Sequence, residues 1–414
     1  MKKLLQLLFV FAMTATMVSC SDDADPITEP EETTLSGVLS EDKTLTADEI
    51  WTISGRYIVD AGATLTIQAG TIIKGASGEG TNAAVLMVAR GGMINAVGTA
   101  SNPIIMTTVL DDIQVGQLEG TNLGNPGDKG KWGGLVILGS APISVDGATE
   151  AQIEGVPASE SLGLYGGSDA SDNSGTVKYV SIRYGGAVID ATGGKEINGL
   201  TLGGVGTGTT IDHIEIFANV DDGVEFFGGT VNVSDVLVSY QGDDALDIDQ
   251  AYAGTVDNFY LIQDTNSDKG LEVDGPEGAE NADGMFTLMD GTIMSVDGSG
   301  GGAADFKSKA QGTVTNVLWE GYDDAIIKLR ASYQNECADA KSDAFTNLTD
   351  QPATLSFTSV VFDAVNVYTA TDGCEVPAAD QTAAEGLIVS DSSTGAADAS
   401  AWDGWTLSSL REDI

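Results

Sequence analysis

The sequence predicts an all-β chain wound as a single right-handed parallel β-helix, a solenoid with inserted loops. Three observations predict it. A six-residue phrase (apolar, any, turn-former, apolar, any, apolar) recurs as VKYVSI from Val177, IDHIEI from Ile211, VSDVLV from Val233, VDNFYL from Val256, MDGTIM from Met289, VTNVLW from Val314 and FTSVVF from Phe357. A second phrase follows four of them: DDGVEF from Asp221, DDALDI from Asp243, DKGLEV from Asp268 and DDAIIK from Asp323, with a degenerate copy, AADFK, at residues 303–307. The tight spacings of the first phrase are 22, 23 and 25 residues (Ile211 to Val233, Val233 to Val256, Met289 to Val314). A fixed period in the twenties is the signature of a solenoid.

Each phrase alternates with period two and is too short for a helical pattern, so each reads as a strand. Two or three short strands separated by Gly, Asp and Asn make one rung, and rungs stack at the inter-strand spacing of ~4.8 Å. Inward side chains then stack in columns. One holds Val224, Leu246, Leu271 and Ala304; a second holds Phe226, Ile248, Val273 and Phe306; a third holds Ile214, Val236, Phe259 and Val317. No rung buries its apolar face alone, so stacking supplies the core. Longer intervals imply inserted loops, at residues 276–284 and 337–352. The N-terminal half carries the same strand–turn–strand wording in GATLTI from Gly62, GTIIK from Gly70, GTASNPIIMT from Gly98 and WGGLVILG from Trp132.

Ahead of the solenoid lie two segments of other kinds. Residues 1–19 read as a lipoprotein signal peptide: Lys2 and Lys3 form the charged end, and the apolar stretch 4–18 is too short to span a bilayer. Met17-Val18-Ser19-Cys20 resembles a lipobox, which makes Cys20 the lipidation site; an ordinary signal peptide with a chance cysteine is the alternative. Residues 20–34 are acidic, contain proline and lack apolar periodicity, as a disordered tether does. Residues 35–414 form the β-helix domain with its C-terminal cap, for which Trp402 and Trp405 are expected to fold over the open last rung. Fifty-three glycines and 6% aromatics suit tight rung corners.

Sixty-two acids against 18 bases give a formal charge of −44, which excludes binding nucleic acid by phosphate neutralisation. The charge serves solubility at a crowded cell surface, or it holds divalent cations. Cys337 and Cys374 lie in polar loops flanking the FTSVVF strand of an exported chain, where oxidation is the default. They read as a disulfide joining two inserted loops, or as two free thiols.

The N-terminal phrases resemble parallel β-helix proteins with a pectin-lyase-like fold. The GTxxNPI and WGGLVILG wording is most similar to a family of surface lipoproteins from diderm bacteria, over roughly residues 35–410. That resemblance implies a lipid anchor in the outer membrane. The acids just after Cys20 resemble the family's surface-export signal and imply the outer face, at the cell surface.

Chemistry is sought against the background of the repeat. His213, the one histidine, stands at the turn-former position that Tyr179, Asp235, Asn258, Gly291, Asn316 and Ser359 hold in other copies, so it reads as a corner residue. With Val224 and Phe226 inward, Glu225 points outward, and Asp247, Glu272 and Asp305 take its place on later rungs. Adjacent carboxylates about 5 Å apart repel by ~1 kcal/mol in water and by several times that near a protein surface. Lys269, Lys307, salt or calcium would relieve this. Asn219 to Gly223, Gly242 to Ala245, Asp268 to Gly270 and Phe306-Lys307 follow in an order that resembles the N-T-D, G-D-D, G-H-G and R-I-K motifs of polygalacturonase-type glycosidases. The resemblance implies Asp222, Asp243 and Asp244 as acid and base. Lys269 stands where that family has histidine, and Phe306 replaces its arginine. Lys269 or Lys307 would serve a lyase as base. The loop from Asp264 spaces Asp264, Asn266, Asp268 and Glu272 as a calcium loop does, with Lys269 where a glycine belongs. Trp132, Trp319, Tyr322, Trp402 and Trp405 are candidate sugar-stacking platforms.

The reading favours a lipid-anchored, non-catalytic binding or structural module of the cell envelope, glycan-binding and calcium-stabilised. Its partners are the outer membrane, through the anchor, and polysaccharide. The competing reading is a polysaccharide-degrading hydrolase or lyase acting on the acidic column.

Overall fold

A computed structural model describes residues 33–156, 161–187, 197–298, 301–322, 327–362, 367–370, 373–390 and 396–414. Cys20, the leader, nearly all of the tether and the DDAI copy at 323–326 lie outside the described residues. Thr33–Ile414 form one compact unit. The repeat builds a parallel β-helix, as the periodicity predicts.

Each copy of the first phrase lies in a long strand: Gly175–Arg183, Thr210–Phe217, Val233–Ser239, Thr255–Gln263, Phe286–Gly298, Gly312–Tyr322 and Leu355–Phe362. Consecutive members pair in parallel. Tyr179, His213, Asp235, Asn258, Asp290, Asn316 and Ser359 all have φ between 51° and 56°. This left-handed residue bends each long strand at the same point, so one strand serves two faces of the solenoid. Asn and Asp tolerate the conformation best among non-glycine residues, which explains their frequency there. The third face is a ladder of short strands, including Leu200–Gly203, Val224–Phe227, Leu246–Asp249, Lys269–Val273, Gly302–Phe306 and Ile327–Gln334. The N-terminal strands Thr64–Ile67, Met93–Val97 and Ile104–Thr108 run into the same ladders.

The three inward columns form as predicted, with every member at most 1% exposed. One register differs. The ladder sets Leu288 opposite Val256 and Gly291 opposite Phe259, so this copy begins at Leu288, and Asp290 rather than Gly291 takes the corner. The reason is steric: a Cβ on Gly291 would lie 2.1 Å from Cζ of Phe259. Phe259 fills the inward space that its neighbour vacates.

The C-terminal segment does not fold over the last rung. It runs back along the outer side of the second face, where Trp402, Trp405 and Leu407 pack with Tyr184, Phe217, Leu237, Tyr240 and Ile262. The outward positions there are apolar (Phe217, Leu237, Ile262), and a strap that buries them is worth ~1.5–3 kcal/mol per large side chain. Beside the last strands, the helices Ala344–Thr349 and Ala378–Glu385 bring Phe345, Leu348 and Ala384 into the core instead. Cys337 and Cys374 form a disulfide, with Cα atoms 5.6 Å apart, that joins this end's two loops.

Candidate functional site

The outward carboxylate column exists. Glu225 pairs with Asp247, Asp247 with Glu272 and Glu272 with Asp305 across successive parallel strands. Thr201 and Lys328 stand at its two ends. The later rungs carry their own cations. Arg330 donates to both oxygens of Asp305, at 3.1 and 2.9 Å. Lys307 bridges Glu272 and Asp274.

The earlier rungs do not. Burial, and next the Asp247 charge, hold the Glu225 carboxyl well above the usual carboxylate range. Asp247 is raised likewise by burial and then by Asp249 and Asp222. Burial followed by Asp274 lifts Asp249 to about 7, and burial followed by Asp243 lifts Asp244 to about 7.

Asp222, Asp243 and Asp244 do come together. Oxygens of Asp222 and Asp243 lie within 4.8 Å of each other, as do oxygens of Asp243 and Asp244. Their tasks are structural, however. Oδ1 of Asp222 accepts the Asp244 amide at 2.9 Å, and Oδ1 of Asp244 accepts the Lys269 amide at 2.6 Å. Each carboxylate thus satisfies the first backbone donor of the next rung, a corner bond repeated up the stack. Asp222 and Asp244 are buried, and Asp243 alone is exposed. Lys269 is buried against Asp268.

The spaced ligands of the Asp264 loop do not converge. Asp264 turns Oδ1 onto the Asn266 amide at 2.8 Å, an Asx turn. Asp268 pairs with Lys269 and Glu272 with Lys307. Asp264 belongs to none of the described groups of three mutually close carboxylates. The spacing of a calcium loop is present, but the Asx turn holds Asp264 and Asn266 together while Asp268 and Glu272 are taken by lysines.

His213 is a corner residue, as the repeat predicts. Its ring stacks on Tyr179 with centroids 4.2 Å apart and lies 3.2 Å from Asp235. The aromatic platforms are absent: Trp132, Trp319, Trp402 and Trp405 are at most 1% exposed and Tyr322 is 7% exposed. Inward alternation takes Trp319, and the strap takes Trp402 and Trp405.

Sequence reasoning missed a polar row on the first face. The residues just before each copy, Thr176, Thr210, Asn232, Thr255, Thr287, Thr313 and Ser356, align across the parallel ladder. An open groove lies over three of them, Thr210, Asn232 and Thr255, and is lined also by Thr207, Asp212, Ser234 and Asp257. The signal was available for six of the seven copies, each preceded by one hydroxyl or amide side chain; the copy read from Met289 follows Leu288.

These features define a parallel β-helix protein with a charged outer face. Residues 37–407 match the family described as the pectate-lyase-like β-helix domain, and the chain belongs to that family. No curated protein matches the chain. Among solved structures it is similar to a pectin methylesterase from Aspergillus niger, at 8% identity, over 87% of this chain and 98% of that one. The TM-score of 0.27 lends that likeness no weight in any argument about activity.

Proposed function

We propose that the protein is a non-catalytic binding module of the cell envelope, lipid-anchored in the outer membrane at Cys20 and displayed at the cell surface. Its ligand is an extended polysaccharide lying along the hydroxyl-lined groove of the first face. One observation carries the non-catalytic part: of the three acid and base candidates, Asp222 and Asp244 are buried and spend an oxygen each on the backbone of the next rung, which leaves Asp243 alone exposed and without a second free carboxylate beside it. A general acid or base needs reach to a substrate proton, and Asp222 and Asp244 are at most 6% exposed. For the ligand, the groove offers hydroxyls and amides repeated at the rung spacing of ~4.8 Å, the kind of periodic array that meets a periodic polymer.

Two assays test this. The full chain incubated with polygalacturonate or alginate should release no reducing ends; release abolished by Asp243→Asn would establish the hydrolase or lyase instead. In affinity electrophoresis through polysaccharide gels, wild type should be retarded and the Thr210→Val/Thr255→Val variant should run free. Equal mobility of the two in every gel refutes the groove. Fatty-acid labelling lost in Cys20→Ser, and protease shaving of intact cells, test the anchor and the surface position.

A further inference from the structure

Protein cations serve several of the outer-face acids. Arg330 serves Asp305, Lys307 serves Glu272 and Asp274, Lys269 serves Asp268, and Lys178 serves Asp212. Asp222, Glu225 and Asp247, from two adjacent rungs, have no such cation, and neither do Asp243 and Asp244 beside them. Among the described residues no lysine, arginine or histidine pairs with any of them. One oxygen from each of Asp222, Glu225 and Asp247 lies within 4.8 Å of the others.

Two further observations point to a ligand. Asn198, 2% exposed, lays its amide nitrogen against Glu225, and its Oδ1 has no partner. Oδ1 of Asp247 is shut off from solvent and accepts no hydrogen bond. An unpaired buried acceptor costs free energy unless something positive meets it.

We propose that Asp222, Glu225, Asp247 and the Asn198 amide oxygen bind one calcium ion that joins adjacent rungs. Oxygens held ~2.4 Å from one ion lie at most ~4.8 Å apart, the span observed here. The donors are hard oxygens only, the set calcium takes, and Glu225 sits directly opposite Asp247 in the ladder. Asp222 contributes its second oxygen, because the first holds the Asp244 amide. Asp247, half-buried, is the most exposed of the four. The neighbouring trio of Asp244, Asp247 and Glu272 is less suited, since Lys307 already occupies Glu272.

The test uses the full chain stripped with EDTA, then titrated with calcium in a calorimeter and melted with and without the ion. One site with a dissociation constant in the range of extracellular calcium modules, about 0.1–1 mM, is expected, with a higher melting midpoint. Asp247→Asn should abolish both the heat and the shift. The calcium-free variant should melt no lower than calcium-free wild type, since a repelling charge is gone. Glu225→Gln should lose the heat as well, and serves if Asp247→Asn does not fold. Asp264→Ala, in the loop outside the cluster, should keep the full response. No heat with calcium overturns the proposal, as does a shift that survives in Asp247→Asn, a response lost equally in Asp264→Ala, or magnesium acting as well as calcium.

Discussion

Removing the Glu215 carboxylate should release the C-terminal strap. Glu215 is 0% exposed on the outer side of the second face. Its oxygens accept the Leu407 amide at 2.9 Å and the Ser408 amide at 2.8 Å, and the Ser181 hydroxyl also donates to it. Nε of Arg183, itself 1% exposed, lies 3.9 Å away. Glu215→Ala strands two buried backbone donors, at ~1–3 kcal/mol each. It also leaves a buried guanidinium without its counter-charge, a loss of ~3–5 kcal/mol when a buried pair is broken. These terms overlap, so the expected loss is ~5 kcal/mol. Glu215→Gln keeps one acceptor but turns an amide NH₂ towards a donor, and should cost ~2–3 kcal/mol. Adding Arg183→Met to Glu215→Gln should recover part of that, because no unpaired ion then remains buried. Two readouts apply. Urea unfolding followed by tryptophan emission should show an early transition as Trp402 and Trp405 meet water. Limited proteolysis should cut between residues 396 and 406 in the variant before the wild type. A Glu215→Ala protein with an unchanged strap cleavage rate, and a stability within ~0.5 kcal/mol of wild type, would refute the reasoning.

Three further outcomes are expected. Gly291→Ala would place a Cβ 2.1 Å from the Phe259 ring and should lose ~1–3 kcal/mol by overpacking; Phe259→Leu in the same chain should restore part of it, and additive losses in the urea midpoints would argue against the clash. Asp244 and Asp249, held at about 7 against a usual 3.8, bind protons more tightly folded than unfolded. Their contribution to stability is therefore full below about pH 4 and lost as pH rises through about 7, so the EDTA-treated chain should melt progressively lower across that range; a midpoint that rises would reverse the sign. Reduction of Cys337–Cys374, separated by 37 residues, should destabilise the C-terminal end by about 4 kcal/mol, seen as earlier protease cutting in the loops it joins.

Much of the fold was legible because its determinants repeat. Alternation put Val224 and Phe226 inside and Glu225 outside, and the period carried that assignment to Asp247, Glu272 and Asp305. The corner position of His213 followed from its neighbours in other copies. The Leu288 register was not legible, because MDGTIM and LMDGTI both fit the phrase; the Phe259 ring decides between them. The Asp264 loop misled because linear spacing does not show partners: Asp264 turns onto Asn266, and lysines take Asp268 and Glu272. The tryptophans misled because Trp402 and Trp405 belong to a strap with no repeat of its own. Asp222 and Asp244 were found as a pair, but their use as acceptors for the next rung's amides needed the stack to be built first.

The sequence alone determined the solenoid, its inward columns and its outward row of acids, since each depends on nearest neighbours one period away. The tertiary structure decided what meets the outer faces. Glu215 holds an amide 192 residues away, and Arg330 neutralises Asp305 from the next rung while Asp222, Glu225 and Asp247 find no such partner. A contact across so long a separation depends on where two surfaces come to lie and leaves no period to read.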